Sequence, residues 1–116
     1  MSDYWILDNR TAIPRPPEMD FISWAMWFKT ADRRVALDIV AGIQVSTVFL
    51  GRNHSHSRGA NARPILFETM LLTEIDTDLS FDDLGTKRYS TWEEAETGHR
   101  AIVEQLRAKL HLTEQP

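Results

Sequence analysis

The sequence predicts an α+β fold: a small antiparallel β-sheet with two α-helices packed on one face. Three observations carry this. Two stretches, starting at Asp20 and at Tyr89, space their apolar residues at the helical period. Residues 34–51 read as a hairpin, and residues 64–72 as a further strand. The resulting order is strand, helix, three strands, helix, within one domain spanning 1–116.

Residues 4–8, "YWILD", form a short first strand. Residues 9–18, "NRTAIPRPPE", hold three prolines and read as a turn or extended linker, because proline blocks helix interiors and central strands. A helix follows over 20–34. Asp20 caps it by accepting from free first-turn amides. Phe21, Trp24, Ala25 and Phe28 share one face, which Met26 and Trp27 widen. This stripe fits core packing, with an aromatic ligand platform as the alternative.

In "RVALDIVAGIQVSTVFLG" the apolar residues alternate, and a three-residue loop Val40-Ala41-Gly42 sets Ile39 opposite Ile43 and Leu37 opposite Val45. Leu37, Ile39, Val45 and Phe49 then form a core under Phe28 and Leu106. Residues 64–72, "PILFETMLL", are apolar on both faces, which places the strand centrally. Residues 73–88 are irregular and mostly acidic. Residues 89–112 close the chain as a helix, with a capping box from Ser90 and Glu93. Its early glutamates and its late Arg107 and Lys109 complement the helix dipole. Trp92, Ala95, His99, Ile102, Val103, Leu106 and Leu110 form its buried stripe.

Composition narrows the function. There is no cysteine, which excludes disulfides, cysteine-ligated zinc and a cysteine nucleophile, and fits a cytoplasmic setting. No apolar run approaches the ~20 residues that cross a bilayer, and the N-terminal residues lack a secretory pattern. The net charge of -4 argues against broad nucleic-acid binding, which rests on neutralising phosphates.

Four stretches, "YWILD", "VSTVFLG" with "NH" just after it, "LFETM" and "RYSTWEEAETGH", resemble a family of small uncharacterised proteins of tailed-phage and bacterial genomes. The resemblance spans most of the chain and brings no activity and no catalytic residue with it. It implies a phage-type accessory protein. Where the family has a glycine- and proline-rich segment after the histidine matching His54, this chain reads "SHSRGANAR", with extra basic groups.

That segment belongs to the most unusual stretch, residues 51–64, "GRNHSHSRGANARP". It carries three arginines, two histidines and no acid in an acidic chain. Arg52, Arg58 and Arg63 offer planar forks suited to phosphate or carboxylate. Asn53 tolerates turns, Gly51 and Gly59 permit close backbone approach, and His54 is an orienting donor. The plain alternative is a solvated hairpin tip. His54 and His56 stand two apart, and Glu68 on the next strand is a third potential ligand. The pair lacks flanking carboxylates, so no metal is assigned. The segment Asp76-x-Asp78-x-Ser80 lacks the glycine and glutamate of a calcium loop. His99 reads as a buried histidine bonded to the sheet, or as lining a pocket beside Trp92; Gly98 before it suggests a close approach.

The ligand-binding candidates are Arg52, Asn53, His54, His56, Arg58, Arg63, Glu68, Trp92 and His99. No catalytic residue and no cofactor is assigned. The expected function is a non-enzymatic, homo-oligomeric binding module for an anionic, nucleotide-like ligand, which in a phage would sequester a host immune signal as counter-defence. The alternatives are an inhibitor of a host defence protein, acting through an acidic or aromatic surface, and a small hydrolase using His54, Glu68 or His99.

Overall fold

The structure is a computed structural model that describes residues 3–55, 62–73 and 86–110. The chain opens with a ribbon that the linker reading missed. β1 (Trp5–Asp8) pairs antiparallel with β2 (Thr11–Pro14), turning through Asn9 at φ 61°. Pro14 is tolerated because it ends an outer strand, where a missing N–H breaks no ladder.

Helix α1 (Phe21–Thr30) starts as predicted. The Ser23 N–H donates to the Asp20 carboxylate at 2.8 Å, and this backbone bond holds Asp20 below its ordinary value. The helix ends sooner than read. Ala31 is extended, its N–H closing on the Trp27 carbonyl, and the next residues lead into a strand.

β3 (Arg34–Val40), β4 (Ile43–Phe49), β5 (Phe67–Thr73) and β6 (Lys87–Tyr89) form one antiparallel sheet in that order. β5 is interior, as its apolar faces predicted. β6 is a fourth strand where the sequence read irregular structure running into helix. It is only three residues long, too short for alternation to show.

The β3–β4 turn corrects the predicted register. Val40 faces Ile43 across a two-residue turn, with Ala41 at φ 51° and Gly42 at φ 84°. Positive φ at both central positions is the twist that two-residue hairpins favour. The loop is one residue shorter than predicted, so β3 is turned over. Leu37 and Ile39 lie on the uncovered face, 40% and 69% exposed, and are not core. Asp38 faces the helix side instead. A bulge between Arg34 and Ala36 turns Val35 back inward.

Helix α2 (Trp92–Lys109) crosses the inner face of the sheet. Its capping box lies one residue later than predicted: Thr91 Oγ1 accepts from the Glu94 N–H, and Glu94 accepts from the Thr91 N–H. Ala95, His99, Ile102, Val103 and Leu106 are buried, as the stripe predicted, whereas its end members Trp92 and Leu110 are only half-buried.

Two apolar clusters fill the space between helix and sheet. Val40, Ile43 and Val45 meet Ile102, Val103 and Leu106 at one end. Phe49, Leu66 and Phe67 meet Ala95 at the other, with Trp27 of α1 edge-on to Phe49 at 6.2 Å. Trp27, rather than the predicted Phe28, covers Phe49. Burying each large aliphatic side chain contributes about 1.5–3 kcal/mol. Among the described residues no helix is long and apolar enough to cross a membrane.

Candidate functional site

A chain of polar side chains separates the two clusters. Thr47 and Thr69 face each other on β4 and β5, with hydroxyls 2.5 Å apart. On one side, Thr47 Oγ1 lies 2.7 Å from His99 Nδ1, and His99 Nε2 lies 2.7 Å from the Asp38 carboxylate. On the other, Thr69 Oγ1 lies 3.0 Å from the Tyr89 hydroxyl. Thr47, Thr69 and His99 are buried, whereas the Asp38 side chain is 48% exposed.

One arrangement of hydrogens satisfies every group. His99 Nε2–H donates to Asp38, Thr47 donates to Nδ1, Thr69 donates to Thr47, and Tyr89 donates to Thr69. Burial pushes the Tyr89 phenol above its ordinary value, and its bond with Thr69 opposes that rise. Chemically the chain ties four strands to α2. Its two threonine hydroxyls are fully enclosed.

His99 thus takes the first of its two sequence readings, a buried histidine bonded to the sheet. Asp38, Thr47, Thr69 and Tyr89 were missed. Gly98 was the one signal: the Tyr89 ring lies against it, so close that an added Cβ would overlap the ring.

The basic loop is anchored where it leaves the sheet. Gly51, at φ 76°, packs beneath Phe28; a Cβ there would meet its ring at 2.5 Å. The Asn53 side-chain oxygen accepts from the Ser55 N–H at 2.9 Å and the Ile65 N–H at 3.0 Å, clasping outgoing and returning strands. The His54 N–H donates to the Ile65 carbonyl at 2.9 Å, and the Asn53 N–H to the Asp3 carbonyl at 2.9 Å. Asn53 is therefore a frame for its neighbours.

On that frame Arg52, Asn53, His54 and Ser55 line an open depression of about 370 Å³, closed on one side by Arg88 of β6. Arg88 was absent from the sequence-derived set. Its Nε donates to Glu68 at 2.8 Å, so Glu68 acts as the partner that aims Arg88. The Arg52 guanidinium lies 5.3 Å from the Tyr4 ring centroid, and among the described residues no carboxylate pairs with it. The depression thus has two guanidinium groups and an imidazole against one carboxylate.

The other candidates lie elsewhere. Arg63 forms a two-point ion pair with Glu94, at 2.9 and 3.2 Å. Hydrogen bonding to its guanidinium is the main influence that holds the Glu94 carboxyl below its ordinary value. With Trp5, Arg10 and Trp92 it borders a second hollow of about 280 Å³ at the start of α2. His99 does not line that hollow. Glu68 pairs with residues of the uncovered sheet face while His99 lies on the helix side, so the two do not converge. His56, Arg58 and the acidic residues 74–85, with the Asp76, Asp78 and Ser80 segment, lie outside the described residues. No protein-family model, no curated protein and no solved structure matches the chain.

Proposed function

We propose that this chain is a non-enzymatic binding module for a phosphate-bearing, nucleotide-like anion, taken up at the Arg52–His54–Arg88 depression. The observation behind it is that two arginines and a histidine, brought together from the loop after β4 and from β6, line one hollow whose backbone the Asn53 clasp holds fixed. A prepared backbone lowers the ordering cost of binding. Planar forks accept phosphate oxygens in pairs. A phage-type protein of this kind would act in the host cytoplasm by sequestering a signalling nucleotide.

The proposal includes a homo-oligomer. Leu37, Ile39, Met70 and Leu72 are exposed on the uncovered sheet face, a surface for a second copy to cover. An alternative, protein inhibition through an aromatic surface, draws on the exposed Phe21, Ile22 and Met26 of α1.

Calorimetric titration with nucleotides, cyclic dinucleotides and ADP-ribose tests the main reading. Hydrogen bonds to charged groups contribute about 1.5–3 kcal/mol. Arg52→Ala and Arg88→Ala should therefore weaken binding ~10-fold or more, while Arg63→Ala, which lies outside this depression, should change it little. A wild type that ignores every phosphate-bearing ligand would remove this reading and favour the inhibitor.

A further inference from the structure

We propose a base-recognition subsite: Phe21 is the platform on which the ring of the bound nucleotide stacks. This rests on the anion reading above and gives the ligand a second, aromatic half.

The argument begins inside the protein. Phe28, Trp24 and Phe21 follow each other along one side of α1 as a ladder of near-parallel rings. Trp24 and Phe28 lie 5.0 Å apart at 25°, Phe21 and Trp24 5.9 Å apart at 26°. The inner end is closed, because Arg33 lies over Phe28 at 3.7 Å. Trp24 is buried and fixed by its indole N–H, which donates to the Trp5 carbonyl at 2.9 Å. Phe21 is 54% exposed. A stack with a buried middle and an exposed terminal plate presents an aromatic surface that one more flat ring extends.

The ladder is joined to the basic depression through one residue. Tyr4 stands edge-on to Phe21 at 5.4 Å and to Trp24 at 4.7 Å, and Arg52 lies over Tyr4 at 5.3 Å. Tyr4 is itself bridged to Arg52 through the backbone. Two short steps thus lead from a guanidinium that suits phosphate to an exposed ring that suits a base. That separation is of the order of one nucleotide. Stacking tolerates any base, so the subsite selects for an aromatic ring rather than for a particular one.

The test compares adenosine 5′-monophosphate with ribose 5-phosphate, which keeps the phosphate and lacks the ring, by calorimetry. Wild type should bind the nucleotide more tightly. Phe21→Ala should weaken the nucleotide about tenfold and leave ribose 5-phosphate unchanged. Phe21→Trp should restore the margin, and Arg52→Ala should weaken both ligands. Equal binding of the two ligands by wild type, or an unchanged nucleotide affinity in Phe21→Ala, overturns the subsite while leaving the anion reading in place. Binding of neither ligand overturns the subsite, and the anion reading falls with it if wild type also ignores the cyclic dinucleotides and ADP-ribose.

Discussion

The Tyr89 ring occupies the space that a side chain on residue 98 would need. Gly98 lies inside α2, where glycine costs about 1 kcal/mol against alanine. The close approach offsets that cost by letting the Tyr89 hydroxyl reach Thr69. Gly98→Ala should therefore destabilise the wild type by about 1–3 kcal/mol through overpacking. In a Tyr89→Ala background the same change should stabilise by up to about 1 kcal/mol, as helix propensity takes over. Denaturant melts of the four proteins check this; the same sign in both backgrounds would show that the two residues are not coupled.

Thr47→Val keeps the shape and removes one hydroxyl from the polar chain. His99 Nδ1 loses its donor and the Thr69 hydroxyl its acceptor. An unsatisfied buried polar group costs about 1–3 kcal/mol. The expected result is a clear fall in stability, larger than that of Thr30→Val, which removes a hydroxyl from the exposed end of α1.

The register of β3 can be read from two substitutions. Phe49 is fully buried, and Phe49→Ala should cost about 3–5 kcal/mol. Ile39 is 69% exposed, and Ile39→Thr should stay within about 0.5 kcal/mol. A large loss at Ile39 in a monomeric sample would restore the predicted register.

Ala41 adopts φ 51°, which non-glycine residues enter at a cost of roughly 1–2 kcal/mol. Ala41→Asn should recover part of that and raise the melting temperature, because Asn-Gly suits this turn.

Glu94 supplies a pH-dependent term. Its carboxyl is held below the ordinary 4.5, chiefly by Arg63. Stability from this lowering is present above the unfolded value and is lost as pH falls through the folded one. The pair is exposed, so its contribution is about 0.2–1 kcal/mol and falls with salt. Wild type should exceed Arg63→Ala by that margin at neutral pH, and the two should converge once the pH has fallen through the lowered folded value. A direct check is the Glu94 carbon shift, whose titration midpoint should rise in Arg63→Ala.

Both helices, the interior place of β5 and the buried stripe of α2 were legible because each repeats over many residues. Asp20 capped as predicted because its signal is local. The β3 register was not legible: Val35, Leu37 and Ile39 alternate whichever face they occupy, and the turn length alone decides. That one residue also hid Asp38, hence the chain through His99. Arg52, Asn53 and His54 were visible as a loop out of character with an acidic chain. Arg88 was not, because its place beside them depends on a three-residue strand and a pairing that no local pattern encodes.

Both margins of the four-stranded sheet are blunted against growth. On one side β6 offers three residues, two of them basic. On the other, the bulge at the start of β3 breaks the regular spacing of free amides and carbonyls, and Asp38 puts a charge further along the same strand. A foreign strand seeking to extend the sheet meets too short a template at one margin and an irregular, charged one at the other. The protein can therefore leave Leu37, Ile39, Met70 and Leu72 exposed with less risk of fibrillar aggregation, because face-to-face association is finite whereas edge-to-edge addition is not.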